Sequence, residues 1–136
     1  MSWVEIFAVF VVSHALGDYL LQTDWQAIHK RGGLGADPEA RCALLSHVLT
    51  YTLAFVPAGI WLATDGDLSA LGLVLLAVGI YLPHMVQDDG RLLRAYIIRV
   101  KGTGAATITT VYTATDQSLH LIILFATALV VHWSTT

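Results

Sequence analysis

Four long apolar segments run through the 136-residue chain, with shorter polar segments between them. They cover residues 2–21, 43–64, 68–86 and 117–133. A helix of about 20 residues crosses a hydrocarbon core of about 30 Å. The pattern therefore predicts an all-α integral membrane protein, a single domain over residues 1–136 that folds as an antiparallel four-transmembrane-helix bundle.

Composition and charge narrow the functional classes. With 56% hydrophobic residues and 12% charged ones, the chain is not an ordinary soluble globule. Its net charge of −3 leaves no positive excess for binding nucleic acid. The single cysteine, Cys42, excludes an internal disulfide and a Cys-type zinc site. The expected partner is the lipid bilayer, and assembly of several copies stays open.

The basic residues predict an orientation. All seven Lys and Arg residues lie either between the first and second apolar segments or between the third and fourth. By the positive-inside rule, these connections are cytoplasmic and both termini lie outside. Residues 89–101 mix basic and apolar side chains, which indicates a short basic helix on the anionic inner leaflet. Asp37-Pro38-Glu39 is typical of a helix start leading into the second span.

Histidine and aspartate recur in pairs four residues apart, a spacing that puts both side chains on one face of a helix. In spans that alternate in direction, all these residues lie near the cytoplasmic end. Ionisable groups inside a membrane cost about 2.5–3.5 kcal/mol on insertion scales, so they usually face the bundle interior and carry function. The candidate metal ligands are His14, Asp18, His47, His84, Asp88, Asp116 and His120.

Imidazole and carboxylate without thiolate favour Zn²⁺, with Mn²⁺ or Fe²⁺ as alternatives. Seven ligands exceed the need of one tetrahedral ion. Either two ions share a carboxylate, or one ion leaves the surplus groups as supporting residues and general base. Gln22 and Tyr51 lie one helical turn beyond Asp18 and His47, and each either supports the ligands or only lines the bundle. Solvated positions are expected for Asp24, Asp89 and His29.

These motifs resemble a known family. The stretch HALGDYLLQTDW at residues 14–25, the lone His47, the H-x-x-x-D at 84–88 and the DQSLH at 116–120 look like small bacterial and phage membrane proteins catalogued as domain of unknown function 3307. The resemblance implies a multi-pass protein of the bacterial inner (cytoplasmic) membrane and assigns no reaction. The H-x-x-x-D pattern is also similar to that of membrane-bound metal-dependent hydrolases.

Three functions fit these observations. The first is a metal-dependent hydrolase at the cytoplasmic leaflet, with Asp88 or Asp116 as catalytic base. The basic segment 91–101 would attract an amphiphilic or phosphate-bearing substrate, although simple positive-inside anchoring is the favoured interpretation of that segment. The second is a component of divalent-cation or proton transport, and the third is a non-catalytic protein that metal stabilises. Placement of the ligands at one end of the spans favours a reaction chamber over a path across the membrane.

Overall fold

The computed structural model describes residues 1–66 and 68–134, and residues 67, 135 and 136 lie outside this description. The described residues are mostly helical and contain no strand. In chain order the elements are α1 (Trp3–Ala15), a π-helical segment (Leu16–Leu20), α2 (Asp24–His29), α3 (Pro38–Leu53), α4 (Val56–Asp65), α5 (Ala70–Asp88), α6 (Arg91–Lys101), a 3₁₀ turn (Ala105–Thr107) and α7 (Thr109–Ser134).

Four helical stretches are long and apolar enough to cross a membrane, namely Trp3–Leu20, Pro38–Asp65, Ala70–Asp88 and Thr109–Ser134. The predicted all-helical fold with four candidate spans is confirmed in these terms. Large apolar side chains also cover the outside of the bundle, and Val12, for example, is 69% exposed. Soluble proteins rarely present so much apolar surface, so this exterior is compatible with surrounding lipid.

Two of the spans differ in extent from the predicted segments. The second begins at Pro38, where the Asp37 side chain accepts a hydrogen bond from the Glu39 N–H, as the sequence of this helix start suggests. The same stretch changes from α3 to α4 just before Pro57, which lacks the N–H that a continuous helix needs. The fourth begins at Thr109, well before the predicted residue 117, because the polar segment ahead of it is already helical.

The backbone of the first candidate span comes very close to α3 at one glycine. Gly17 lies in the π-helical segment, and a Cβ at this position would come within 2.6 Å of Tyr51 Cδ2 and 3.2 Å of Tyr51 Cα. Only glycine permits this approach of the two backbones. Single π-helical turns inside α-helices often mark functional sites, and this one contains Asp18.

The bundle interior is divided between an apolar end and a polar end. The apolar core comprises Ile6, Phe10, Tyr51, Phe55, Ala58, Leu62, Leu68, Leu76, Ile80, Leu124, Ala128 and Val131. Buried His and Asp side chains collect at the opposite end. Amphipathic helix α6 lies beside this polar end and buries Leu93 and Ile97 while its basic residues stay exposed. It falls inside the segment for which the sequence predicts a basic helix.

Candidate metal centre

Four donor atoms from three helical elements meet at the polar end of the bundle. Nε2 of His47 lies 3.3 Å from Asp18 Oδ1 and 2.8 Å from Asp88 Oδ2. Nε2 of His84 lies 3.4 Å and 3.1 Å from the same two oxygens. The two Nε2 atoms are 3.1 Å apart. All four side chains are at most 6% exposed, so the donors are held together away from solvent.

These separations are close to the edges of a small coordination polyhedron. Bonds of about 2.0–2.2 Å place neighbouring ligand atoms of a tetrahedral zinc about 3.3–3.6 Å apart. Two of the five separations lie in this range, and the other three are shorter by about 0.2–0.5 Å. The donors of Asp18, His47, His84 and Asp88 form a group that could hold a metal ion. The chemistry of these donors also suits a metal ion, because zinc, manganese and ferrous iron all accept a set of two imidazoles and two carboxylates.

Asp88 also belongs to a second group, with Asp116 and His120 on α7. His120 Nδ1 donates to the backbone carbonyl of Asp116 over 2.9 Å, which leaves the lone pair of Nε2 free to act as a ligand. That Nε2 lies 3.7 Å from Asp88 Oδ1. Asp88 therefore presents one oxygen to each group, an arrangement suited to a carboxylate that bridges two ions.

Unpaired polar atoms concentrate in this cluster. Among the described residues, four buried side-chain nitrogen and oxygen atoms have no hydrogen-bond partner: Asp18 Oδ1, His47 Nδ1, His84 Nδ1 and His120 Nε2. Buried polar atoms are normally paired, because an unpaired one costs about 1–3 kcal/mol. A cation between the groups would satisfy Asp18 Oδ1 and His120 Nε2, which both face the cluster.

His14, the remaining predicted ligand, belongs to neither group. Its Nδ1 lies 3.0 Å from the Tyr51 hydroxyl, and its Nε2 lies 2.9 Å from Gln117 Oε1. The amide nitrogen of Gln117 in turn donates to Asp18 Oδ2 over 3.3 Å. With both ring nitrogens engaged, His14 orients Asp18 through Gln117. His14 therefore contacts Asp18 through Gln117 as a supporting residue does, and its role as a ligand stays a prediction.

Both predicted supporting residues reach the cluster. Tyr51 stacks on the His84 imidazole, with ring centroids 3.3 Å apart. The amide nitrogen of Gln22 lies 3.2 Å from His47 Nε2, although Gln22 follows the helical segment rather than extending its stripe. The stack on Tyr51 fixes the His84 ring, whereas Gln22 contacts Nε2 of His47, the atom that faces the other donors. Supporting contacts of this kind commonly tune metal affinity.

Sequence reasoning missed Lys30. Its ammonium lies 2.7 Å from Asp88 Oδ2 and is mostly buried. With neutral imidazoles, the centre carries two excess negative charges. The carboxylates of Asp18, Asp88 and Asp116 contribute three negative charges, and this ammonium balances one of them. Such an excess at a buried site favours a divalent cation. No local pattern could have indicated Lys30, because it reaches the site through the fold of the connection around α2.

Asp89 is also placed differently from the prediction. It is 3% exposed rather than solvated, and it accepts hydrogen bonds from the Leu34 N–H over 2.8 Å and from Arg91 Nε over 2.6 Å. Burial by itself raises the pKa of Asp89, but the hydrogen bonds from Arg91 and Leu34 outweigh it and hold the pKa below its usual value. Asp89 thus joins the connection after α2 to the start of α6.

A cleft leads from the surface to the centre. It has a volume of about 230 Å³, and its lining includes Asp18, Lys30, Asp88, Asp116 and Gln117. The Asp116 side chain is 21% exposed, whereas that of Asp88 is 2% exposed. The centre is therefore accessible from one side, through Asp116.

Comparison with known proteins identifies the family of this chain but assigns no activity to it. A family model described as "Protein of unknown function (DUF3307)" matches residues 6–136, which include all the His and Asp motifs, as their resemblance suggested. No curated protein and no solved structure matches the chain.

Proposed function

We propose that this chain, which belongs to the DUF3307 family of proteins of unknown function, is a metal-dependent hydrolase of the bacterial cytoplasmic membrane. The observation that carries the proposal is a pair of buried donor groups that share Asp88 and open into a cleft. The substrate is an amphiphile or a phosphate-bearing compound that approaches from the cytoplasmic leaflet.

In this proposal the centre would hold two ions. Asp18, His47, His84 and Asp88 would hold the first, and Asp88, Asp116 and His120 would hold the second. Zinc is the preferred metal because the two groups together offer three imidazoles with three carboxylates, and manganese or iron fits the same set less well. Bound at this position, the ions supply a Lewis acid and lower the pKa of water.

The protein's own residues take distinct roles. Asp116 is the catalytic base because it lies at the cleft and is the most exposed carboxylate of the centre. Asp88 contacts Lys30, His47 and His84 through Oδ2 and faces His120 with Oδ1, so it would be a ligand shared by the two groups rather than a proton acceptor. The ammonium of Lys30 lines the cleft and can stabilise negative charge that develops on the substrate.

The placement of polar groups supports hydrolysis over transport. A transport path needs polar steps through the whole bundle, but the half opposite the centre is filled by residues such as Phe10, Phe55, Leu62 and Leu124. A purely structural ion is normally closed off by protein ligands. The cleft at Asp88 and Asp116 instead supports a site that admits water and substrate.

The proposed topology puts the centre at the cytoplasmic face, with the four helices antiparallel and both termini outside. The basic residues support it, since Lys30, Arg31, Arg91 and Arg94 all lie around the clefts at the polar end of the bundle. A substrate headgroup at the inner leaflet and cytosolic water could then reach the same carboxylates.

Elemental analysis of the full-length protein in detergent tests the proposal. We expect two ions per chain and metal-dependent release of phosphate from a chromogenic aryl phosphate or a short-chain phosphatidic acid. His84→Ala should lose bound metal and activity together, whereas His29→Ala, which changes a more exposed histidine outside both groups, should keep both. Protein that is well folded but binds no divalent metal would contradict the proposal.

A further inference from the structure

A second cleft lies next to the metal centre and is lined by three arginines. It has a volume of about 390 Å³ and includes Arg31, Arg91 and Arg94. Asp89 is the one acidic residue among its described lining, and it is already bound to Arg91. The cleft therefore carries a net positive charge in its walls.

Two of these arginines are held in place. The guanidinium of Arg31 lies over the Tyr112 ring, 4.5 Å from its centroid. Asp89 accepts from both Nε and Nη2 of Arg91, at 2.6 and 3.1 Å. Arginine presents a planar array of N–H donors that matches the oxygens of a phosphate group. Fixed guanidinium groups lose little side-chain entropy when they bind an anion.

Backbone N–H groups at the start of α7 add further donors. Thr109 lines the cleft and begins the 26-residue helix α7. The N-terminus of a helix carries partial positive charge and unpaired N–H groups. Gly90 also lines the cleft. Its φ of 74° and the Tyr112 hydroxyl, which would lie 2.9 Å from a Cβ, both favour glycine at this position.

The arginine cleft is continuous with the cleft that reaches the metal centre. Arg31, Gly90 and Tyr112 line both. We propose that the arginine cleft binds a phosphate group, and, resting on the proposed function, that this group belongs to the substrate whose scissile bond lies at Asp88 and Asp116. The phosphate belongs either to a lipid headgroup or to a soluble compound, and the two share the same recognition chemistry.

Calorimetric titration of the full-length protein with inorganic phosphate tests the cleft. We expect Arg31→Gln and Arg94→Gln each to weaken phosphate binding at least tenfold. Arg99→Gln is the matched control, because it removes the same charge from α6 without lining the cleft, and it should change the affinity less than twofold. An equal loss in all three variants would show general surface attraction only and would overturn the proposal.

The same variants separate this inference from the proposed function. Metal content is measured on each sample, and the titration is repeated after chelation. If metal-free protein binds phosphate and this binding depends on Arg31 and Arg94, the result supports phosphate binding in the arginine cleft even if the hydrolase proposal fails. If metal-loaded protein binds phosphate equally well without either arginine, or stops binding phosphate on chelation, the proposal for the arginine cleft is wrong. The hydrolase proposal is then unaffected.

A second titration identifies the source of the phosphate group. Protein in phosphatidylcholine nanodiscs is compared with protein in nanodiscs that also contain phosphatidic acid, and glycerol 3-phosphate is added to the first. Competition between phosphatidic acid and inorganic phosphate supports a lipid headgroup, and competition by glycerol 3-phosphate alone supports a soluble compound. If neither competes in an arginine-dependent manner, no phosphate ester uses the cleft and the proposal is wrong.

Discussion

The Tyr51 ring lies flat against the imidazole of His84, with ring centroids 3.3 Å apart and 4° between the ring planes. The hydroxyl of the same tyrosine reaches His14 Nδ1 over 3.0 Å. One side chain of α3 therefore positions a candidate ligand by stacking and a supporting histidine by hydrogen bonding. These two contacts can be separated by mutation.

We predict that Tyr51→Leu weakens metal binding by about 10–100-fold, the usual effect of losing a contact that orients a ligand. Tyr51→Phe keeps the stack on His84 and loses only the hydroxyl, so it should stay within a few-fold of the wild type. Competition with a fluorescent zinc chelator gives the affinities. Equal metal binding by Tyr51→Leu and wild type would show that the stack does not position His84.

Gly17→Ala should destabilise the protein by about 1–3 kcal/mol, because the added methyl group meets both the side chain and the backbone of Tyr51 and forces the π-helical segment away from α3. Gly79→Ala is the control, since apart from its chain neighbours and the nearby backbone of α5 nothing lies within 4 Å of a Cβ at that position. It should be neutral or stabilise by about 0.5–1 kcal/mol. Unfolding of the detergent-solubilised variants is the measurement, and equal stability of the two would contradict the close approach at Gly17.

Asp89→Asn should lower stability at neutral pH by about 1–3 kcal/mol, because the buried side chain then loses its charge and weakens its hydrogen bonds with Arg91 and Leu34. Because the pKa of Asp89 is lower in the folded protein than in the unfolded chain, its stabilisation is fully present above the unfolded pKa of about 3.9 and is lost as the pH falls through the folded pKa. The difference in stability between wild type and Asp89→Asn should therefore shrink below about pH 4.

Asp24→Asn, which removes a carboxylate from the exposed start of α2, controls for the change in net charge in the same pH series. A stability difference for Asp89→Asn that grew on acidification would contradict the assigned hydrogen bonds.

The sequence predicted the four candidate spans and most residues of the two donor groups because both depend on local spacing. Apolar runs of spanning length and i,i+4 pairs such as His84 and Asp88 are properties of one helix, and the fold only had to bring the helices together. The positions of Lys30 and Asp89 depend instead on how the connections fold back onto the bundle. His14 illustrates the same limit, since its spacing equals that of a ligand but Tyr51 and Gln117 occupy its nitrogens.

Topology gives a further prediction, that residues around α6 face the cytoplasm and the end of α7 faces outside. In a Cys42→Ser background, Ser134→Cys should react with a membrane-impermeant maleimide added to intact cells, whereas Arg99→Cys should react only after the membrane is permeabilised. The basic residues between the spans are the reason for this expectation. Labelling of Arg99→Cys from outside would overturn the orientation.

The sharpest test of catalysis is Asp116→Asn, because Asp116 combines access to the cleft with a place in the second donor group. The substitution keeps the volume of the side chain and removes its ability to accept a proton. We expect a loss of hydrolysis of about 10²–10⁴-fold, the usual contribution of a general base, while the ion held by Asp18, His47, His84 and Asp88 remains bound.

Asp88→Asn should instead reduce metal content as well as activity, because both groups depend on its oxygens. Ser118→Ala, an exposed change two residues from Asp116, controls for effects on α7 itself. If Asp116→Asn retained full activity with both ions bound, the base would lie elsewhere, and the assignment of Asp116 would be wrong even though the metal centre stood.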